Sequence, residues 1–472
     1  MKIKMTKKSK TVFLTGVTGN MGRSAMELLL FSDKFNLKVL ARDSRINRKK
    51  LAKYPQIEVI WGDLCNYEDV LKGVVDSDYV LHIGGMVSPQ ADKFPELTMK
   101  VNVSAAKNVV KAVESQANKD DIKVVYIGSV AQTGFRPYPR HWGRTGDPQT
   151  PSLFDMYSLS KIEAERIFCE SSIKNWVSVR QSGMLYPELL LKGTNPITFH
   201  VPFDGVLEWT TIEDSGKALL RICEDGLPEK FWRSFYNLGS GENFRLTNYE
   251  FESLLMSTLG LPGVEKIFEL EWFATHNFHG QWYLDSDLLE DYLHFREDIS
   301  VEDYFKRIKK SLPWYFSLAP IAPAFLIKFF MRQIAKDKED GTLGWAANGN
   351  IAKINAYFGS VQEMKNIGTW KNYTPIALEK NQVAALTKGD VQIPDHGYDD
   401  TKSIEELGME DFAKVAASKG GELLSVDYTG NNYAPLNWKC QEGHKFYLSP
   451  NSVLKGGHWC SECLTSLFCN HK

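Results

Sequence analysis

Two groups of side chains in this chain have the residue types and spacing to do chemistry. The first is Tyr157-Ser158-Leu159-Ser160-Lys161. On a helix, residues four apart share one face, with Cβ atoms about 5–6 Å apart. A neighbouring ammonium stabilises a phenolate, which predicts a Tyr157 pKa drawn down from its usual value of about 10. Such a tyrosine can pass a proton to or from a secondary alcohol. Spacing alone does not single out this pair, because Tyr398 and Lys402 repeat it. The second group is Cys440-Gln441-Glu442-Gly443-His444 followed by Cys460-Ser461-Glu462-Cys463. Three thiolates and one imidazole form the donor set of a closed tetrahedral zinc site, with His458 and Cys469 as substitute ligands. In a tail of little apolar content, the metal would supply much of the folding free energy. Cys65, Cys169 and Cys223 stand singly and read as inert thiols.

The elements that must position Tyr157 and Lys161 follow from periodicity. From residue 11, short β-branched runs alternate with helical stretches, at 11–15, 37–41, 57–61, 79–83, 123–127 and 177–180. Six such runs predict an α/β fold with a Rossmann-type doubly wound parallel sheet. Thr15-Gly16-Val17-Thr18-Gly19-Asn20-Met21-Gly22 lies at the first strand-to-helix junction. There Gly16 permits the tight turn, Gly19 the approach of a pyrophosphate and Gly22 close packing of helix on strand. The amides that follow, from Asn20 and Met21, would bind phosphate. At the end of the second strand, Arg42 suits a ribose 2′-phosphate and favours NADP, while Asp43 leaves NAD open, with Arg23 and Arg45 as assistants.

The Gly-x-x-Gly-x-x-Gly spacing resembles the extended branch of the short-chain dehydrogenase/reductase superfamily, which holds NAD-dependent epimerases, dehydratases and 3β-hydroxysteroid dehydrogenase-like enzymes. Gly62-Asp63-Leu64, Asp78 to Gly85, Val101-Asn102-Val103 and Tyr236 to Gly241 follow in that family's order. The resemblance covers about residues 11–300. It implies that Asp63 and Leu64 lie near the adenine, that Ser129 polarises the substrate oxygen, and that Asn102 assists the proton relay. Thr133 and Ser160 compete with Ser129 for its role. It implies further that Tyr157 and Lys161 are catalytic, the lysine also touching the nicotinamide ribose. Dehydratases of the family carry Asp-Glu beside the active hydroxyl, whereas Val130-Ala131 follow Ser129 here. The tail from Gly420 to Cys463 resembles small bacterial zinc ribbons.

Three segments result: an oxidoreductase domain with a substrate lobe over 1–311, a hydrophobic segment and irregular extension over 312–403, and a zinc-ribbon-like domain over 404–472. Residues 196–209 and 314–330 are apolar and aromatic. They point to a lipophilic small-molecule substrate such as a hydroxysteroid, converted between ketone and secondary alcohol. The alternatives are a nucleotide-sugar epimerase or dehydratase, and an NADP-binding redox sensor with the ribbon as interaction module. Residues 312–331 carry three prolines and Lys328, a poor spanning helix. They read as a core helix or lid, with contact at a membrane surface as the other reading.

Of 472 residues, 43% are hydrophobic and 24% charged, which excludes a disordered chain. The net charge is -2, and the tail intersperses Lys439, Lys445 and Lys455 with Glu442 and Glu462, so nucleic acid is not an expected partner. A structural or self-associating role for the tail is expected instead, giving a homo-oligomer. The basic first ten residues lack the apolar core of a signal peptide, so a cytoplasmic protein is expected.

Overall fold

A computed structural model describes residues 10–189, 195–389 and 391–469. The first nine residues, residues 190–194 of the lobe and the Cys469 side chain lie outside the described part. Seven parallel strands form the main sheet: β1 (Lys10–Thr15), β2 (Phe35–Ala41), β3 (Glu58–Trp61), β4 (Tyr79–His82), β5 (Lys123–Ser129), β6 (Asn175–Gln181) and β7 (Ser234–Leu238). Their spatial order is β7-β6-β5-β4-β1-β2-β3. Six were expected. The seventh arrives after the lobe has begun and pairs in parallel with β6, from Ser234 opposite Val177 to Leu238 opposite Gln181.

Alternation along each strand divides the core into two layers. Val12 and Leu14 of β1 face one layer with Met26 and Leu29 of α1 (Asn20–Phe31), while Phe13 faces the other with Val109 and Val113 of α2 (Pro95–Glu114). On β5, Val125 and Ile127 join the first layer, and Val124 and Tyr126 the second. Strands buried on both faces need a continuous apolar run, as β1 and β5 have. Two further helices complete the layers, α3 (Met156–Cys169) on the second and α4 (Ile212–Cys223) on the first. The chain reverses direction across the sheet between β1 and β4, which opens a crevice at their carboxyl ends.

The lobe has its own aromatic core of Phe199, Phe203, Phe244, Phe251, Phe268, Trp272 and Phe273. The run at 196–209 is apolar because it fills this core, and Phe203 and Phe273 lie 4.0 Å apart between ring centroids. Helix α5 (Asn248–Leu259) carries Glu252 into the same region. The stretch after 336 folds as short helices, including Thr342–Ala347 and Ile351–Phe358, packed around Trp345. The tail has an apolar core around Phe412, Trp438 and Leu448, more than its composition implied. Its three antiparallel strands are Glu422–Leu423, Leu436–Lys439 and Lys445–Leu448.

Burial pushes the Glu252 carboxyl up to about 7, with no opposing partner. An unfolded glutamate titrates near about 4.3, so the fold holds the protonated form more readily than the unfolded chain does. Its contribution is intact below that pH and is lost as pH rises toward 7. Glu252→Gln should therefore raise stability at pH 8 by on the order of 3 kcal/mol and leave it nearly unchanged at pH 4, measured by denaturant melts.

Candidate functional site

The crevice between β1 and β4 is built by glycine and one threonine. Thr15 Oγ1 accepts from the amides of Ile83 and Gly84 at 3.0 and 2.9 Å and contacts Nδ1 of the buried His82 at 3.1 Å. This draws the two strand ends together so closely that a Cβ on Gly16, where φ is +73°, would lie 2.7 Å from the Gly84 nitrogen. A Cβ on Gly22 would lie 2.4 Å from the Gly16 carbonyl oxygen. Gly19 is the N-cap of α1 and brings no side-chain cap, so the first-turn amides, those of Asn20 and Met21 among them, are left for a ligand. The Met21 side chain is buried in the core. Asp63 is exposed at the end of β3, where it accepts from the Cys65 amide, and Leu64 packs beside Gly84. At the end of β2, Arg48 takes both oxygens of Asp43 at 2.6 and 2.7 Å, while the Arg42 side chain is exposed. Arg23 approaches Glu188 at 3.8 Å instead.

Tyr157 and Lys161 lie on α3, whose N-cap Asp155 accepts from the Ser158 amide at 2.8 Å. The rival pair Tyr398 and Lys402 sits in turns, where spacing of four gives no common face. Lys161 donates to the Ile127 carbonyl at 2.7 Å and lies 5.9 Å from the Tyr157 ring centre. Tyr157 is not depressed as expected. Burial pushes it up to about 12, a hydrogen bond from Ser129 pulls the other way, and Asp155 and Asp92 add to the rise. Burial also draws Lys161 down to about 8, against the carboxylate of Glu165 one turn on. The cation is thus too costly and too distant to outweigh the low dielectric around the phenol. Without ligands, the tyrosine is poised as a proton donor.

Ser129 is at the end of β5 and caps the 3-10 turn Val130–Thr133. Its competitors are engaged elsewhere, Thr133 donating to the Val130 carbonyl and Ser160 to the Tyr157 carbonyl. Asn102 is held by three hydrogen bonds. Its Oδ1 accepts from the Met86 amide at 2.7 Å, and its Nδ2 donates to the Met86 carbonyl and to Ser160 Oγ at 3.0 and 2.8 Å. Asn102 is a bridge between the loop after β4 and α3.

A cavity of about 240 Å³ opens at Met156, the residue before Tyr157, and its lining includes Phe154, Asp155 and Met156. Asp92, His200, Asn277, His279, Asp340 and Lys353 also line it, a polar set that periodicity did not reveal. Asp92 is pushed up to about 6 by burial and by Asp155. His279 meets Asp155 at 3.1 Å. Lys353 donates to the Glu339 carbonyl at 3.0 Å, and burial lowers its pKa. The aromatics of 196–209 fill the lobe core, while Pro89, Pro95, Phe154, Met156, Ile197 and Phe278 give this cavity a wall of mixed polar and apolar character. The charged stretch 336–341 delivers Asp340.

The tail reaches the same machinery from behind. Glu165 accepts from Gln132, Gln149, Ser178, Arg180 and His458, at 2.5 to 3.0 Å. Gln132 in turn accepts from the Ser129 amide at 2.7 Å. Burial alone would raise the Glu165 pKa, but Arg180 and His458 outweigh it and hold the carboxylate ionised. His458 is therefore no metal ligand. Leu464 packs against Leu159 and Ile162 of α3.

Cys440, His444, Cys460 and Cys463 bring one ligand atom each to within 4.8 Å of one another and could hold a metal ion. Cys440 and Cys463 sulfurs are 3.6 Å apart, and His444 Nδ1 is 3.3 to 3.5 Å from all three sulfurs. The other imidazole nitrogen faces Glu462 at 3.7 Å.

Comparison with known proteins agrees with this crevice and this helix. Residues 12–180 match the NAD dependent epimerase/dehydratase family. UDP-glucose 4-epimerases of Rickettsia massiliae and Rickettsia canadensis are each 27% identical, over 127 and 110 residues. These alignments take in 25% and 22% of this chain. The chain spans only about a third of those proteins, 36% and 32% of their lengths. Among solved structures, the Bordetella bronchiseptica enzyme WbmG in complex with NAD and UDP has a TM-score of 0.52 at 17% identity, covering 66% of this chain and 96% of that one. The UDP-glucuronic acid 4-epimerase of Bacillus cereus, in complex with UDP-glucuronic acid and NAD, has a TM-score of 0.51 at 15% identity, covering 64% and 100%. At these identities the likeness is one of fold, and it extends past the matched family segment into the lobe.

Proposed function

We propose that this chain is an NAD-dependent epimerase acting on a nucleotide sugar. The polar side chains that line the cavity at Met156, next to Tyr157 in the chain, carry this reading. A sugar offers hydroxyls on every side and a nucleotide sugar adds a diphosphate, and Asp92, His200, Asn277, His279 and Lys353 supply acceptors, donors and a cation within one enclosure. The curated relatives are named for a nucleotide sugar, and the solved ones hold NAD, two of them with UDP or UDP-glucuronic acid. Val130-Ala131 after Ser129 favours epimerisation over dehydration.

Bound NAD would supply the hydride acceptor and, for the return, its donor. The first-turn amides of α1 hold its pyrophosphate in this reading, with Asp63 toward the adenine and Lys161 toward the ribose. The Tyr157 phenol would have to be drawn down to its phenolate by the positive charge of bound NAD, and could then take the proton of the substrate hydroxyl as the carbinol is oxidised and return it when the ketone is reduced from its other face, so the net reaction is redox-neutral. Ser129 holds the reacting oxygen. A second cofactor reading, NADP, is favoured by one observation: Arg48 occupies Asp43 and leaves Arg42 exposed at the end of β2.

The four tail ligands fit zinc by chemistry and by geometry. Zn–S and Zn–N bonds of about 2.3 and 2.0 Å give tetrahedral edges near those separating the ligand atoms. Glu462 would orient His444 from outside the ligand set. Metal analysis of purified protein should find about one zinc per chain, with Cys460→Ser and Cys463→Ser each losing it. Metal-free protein with an intact, protease-resistant tail would refute the assignment.

The direct assay incubates the protein with UDP-sugars and either NAD or NADP, following sugar identity. Epimer formation without net cofactor reduction is expected. Tyr157→Phe should lower turnover roughly a hundredfold or more while NAD affinity stays within about threefold. Tight cofactor binding without turnover on any sugar would replace the epimerase with a cofactor-sensing protein.

A further inference from the structure

The segment that begins at Leu312 leaves a surface that the site does not use. A 3-10 turn, Trp314–Ile321, meets a twelve-residue helix α6 (Ala324–Ala335) at a bend of 111°. The inner side of α6 packs on the lobe through Ile327, Met331 and Ile334. Its other side presents Phe325, Leu326, Phe329 and Phe330 to solvent, from 52% to 69% exposed. Trp314 and Ile321 stand out further, at 78% and 74%. Twenty large apolar side chains are exposed among the described residues, and seven of them fall between 314 and 330, so the exposure is concentrated rather than scattered.

Charge identifies what this face fits. Residues 304–336 contain seven cations and no acidic residue. Lys306, Arg307 and Lys328 are paired with Asp303, Glu297 and Glu269. Lys309, Lys310, Arg332 and Lys336 are exposed, and none has an ion pair among the described residues. A second copy of the chain would bring two such cationic rims together, which like charges oppose. Among the described residues, no single helix is long and apolar enough to cross a membrane. At about 1.5 Å per residue α6 measures about 18 Å, against a hydrocarbon core of about 30 Å.

We propose that residues 312–336 dock this protein on an anionic lipid bilayer, with the outer face of α6 lying in the interface and the flanking cations on lipid phosphates. Exposed aromatic and aliphatic side chains insert among the headgroups, and the inner face of α6 stays on the lobe. Helix α6 also borders Pro196–His200, of which Ile197 and His200 line the cavity, so the docked surface lies close to it. This inference stands independently of the epimerase reading.

The test is co-sedimentation of the full chain with vesicles of phosphatidylcholine alone and of equimolar phosphatidylcholine and phosphatidylglycerol. Wild-type protein should sediment with the mixed vesicles and be released by salt. Combined Phe325→Ser, Phe329→Ser and Phe330→Ser, all on the solvent side, should lower the apparent affinity roughly tenfold or more. Lys309→Glu with Lys310→Glu should remove the preference for the anionic vesicles, and carries the test if the triple variant does not fold. Wild-type protein left in the supernatant with both vesicle types overturns the proposal. So does undiminished binding by either variant, or a dimer in light scattering that the triple variant converts to a monomer.

Discussion

One buried carboxylate ties the molecule together. Glu165 has no access to water, and an ionised group in that position is tolerated only when its lone pairs are filled. The donors come from four places: the turn after β5, the loop through Gln149, strand β6, and the tail. Satisfying Glu165 therefore requires that all four be assembled. The charge so retained bears directly on the site, because Glu165 raises the pKa of Lys161 against burial. Through Gln132 it also fixes the backbone at Ser129.

The tail is consequently more than an appended module. Its backbone carbonyl at Gly456 accepts from both Gln149 and Arg180, and Ser449 and Ser452 reach Glu170 at the end of α3. The four side chains that could hold a metal ion belong to the same tail, with Cys460 two residues beyond His458. A metal that orders residues 440–463 thus orders the donor that Glu165 needs. Whatever the tail binds, its folding and the placement of α3 are parts of one balance.

Much of this was legible in the sequence, and the reasons differ by element. Strand β1 and the glycines after it were plain because a doubly buried strand and a backbone crossing each allow few residue types. That Tyr157 and Lys161 share one helix, and that Cys440, His444, Cys460 and Cys463 gather in one place, was equally plain, since spacing along one helix or one knuckle sets both. Strand β7 was hidden by its distance from β6 along the chain. The polar cavity was hidden for the same reason: Asp92, His200, His279, Asp340 and Lys353 come from five separate segments and carry no common period. The apolar run at 196–209 misled because composition does not distinguish a pocket wall from a core. His458 looked like a ligand because it neighbours the cysteines, and only the fold turns it toward Glu165. The depressed tyrosine failed on magnitude, burial of the phenol outweighing a cation whose own charge is held down by the same burial.

The account is most exposed at the bond between His458 and Glu165. Hydrogen–deuterium exchange of the full chain should show the amides of residues 156–169 losing protection in His458→Leu, while those of α1, on the opposite layer, keep theirs. The loss corresponds to one charge-assisted hydrogen bond, about 1.5–3 kcal/mol, and His458→Gln, which restores a donor, should recover much of it. Unchanged protection across residues 156–169 in the leucine variant would contradict the claim that the tail holds α3 in place.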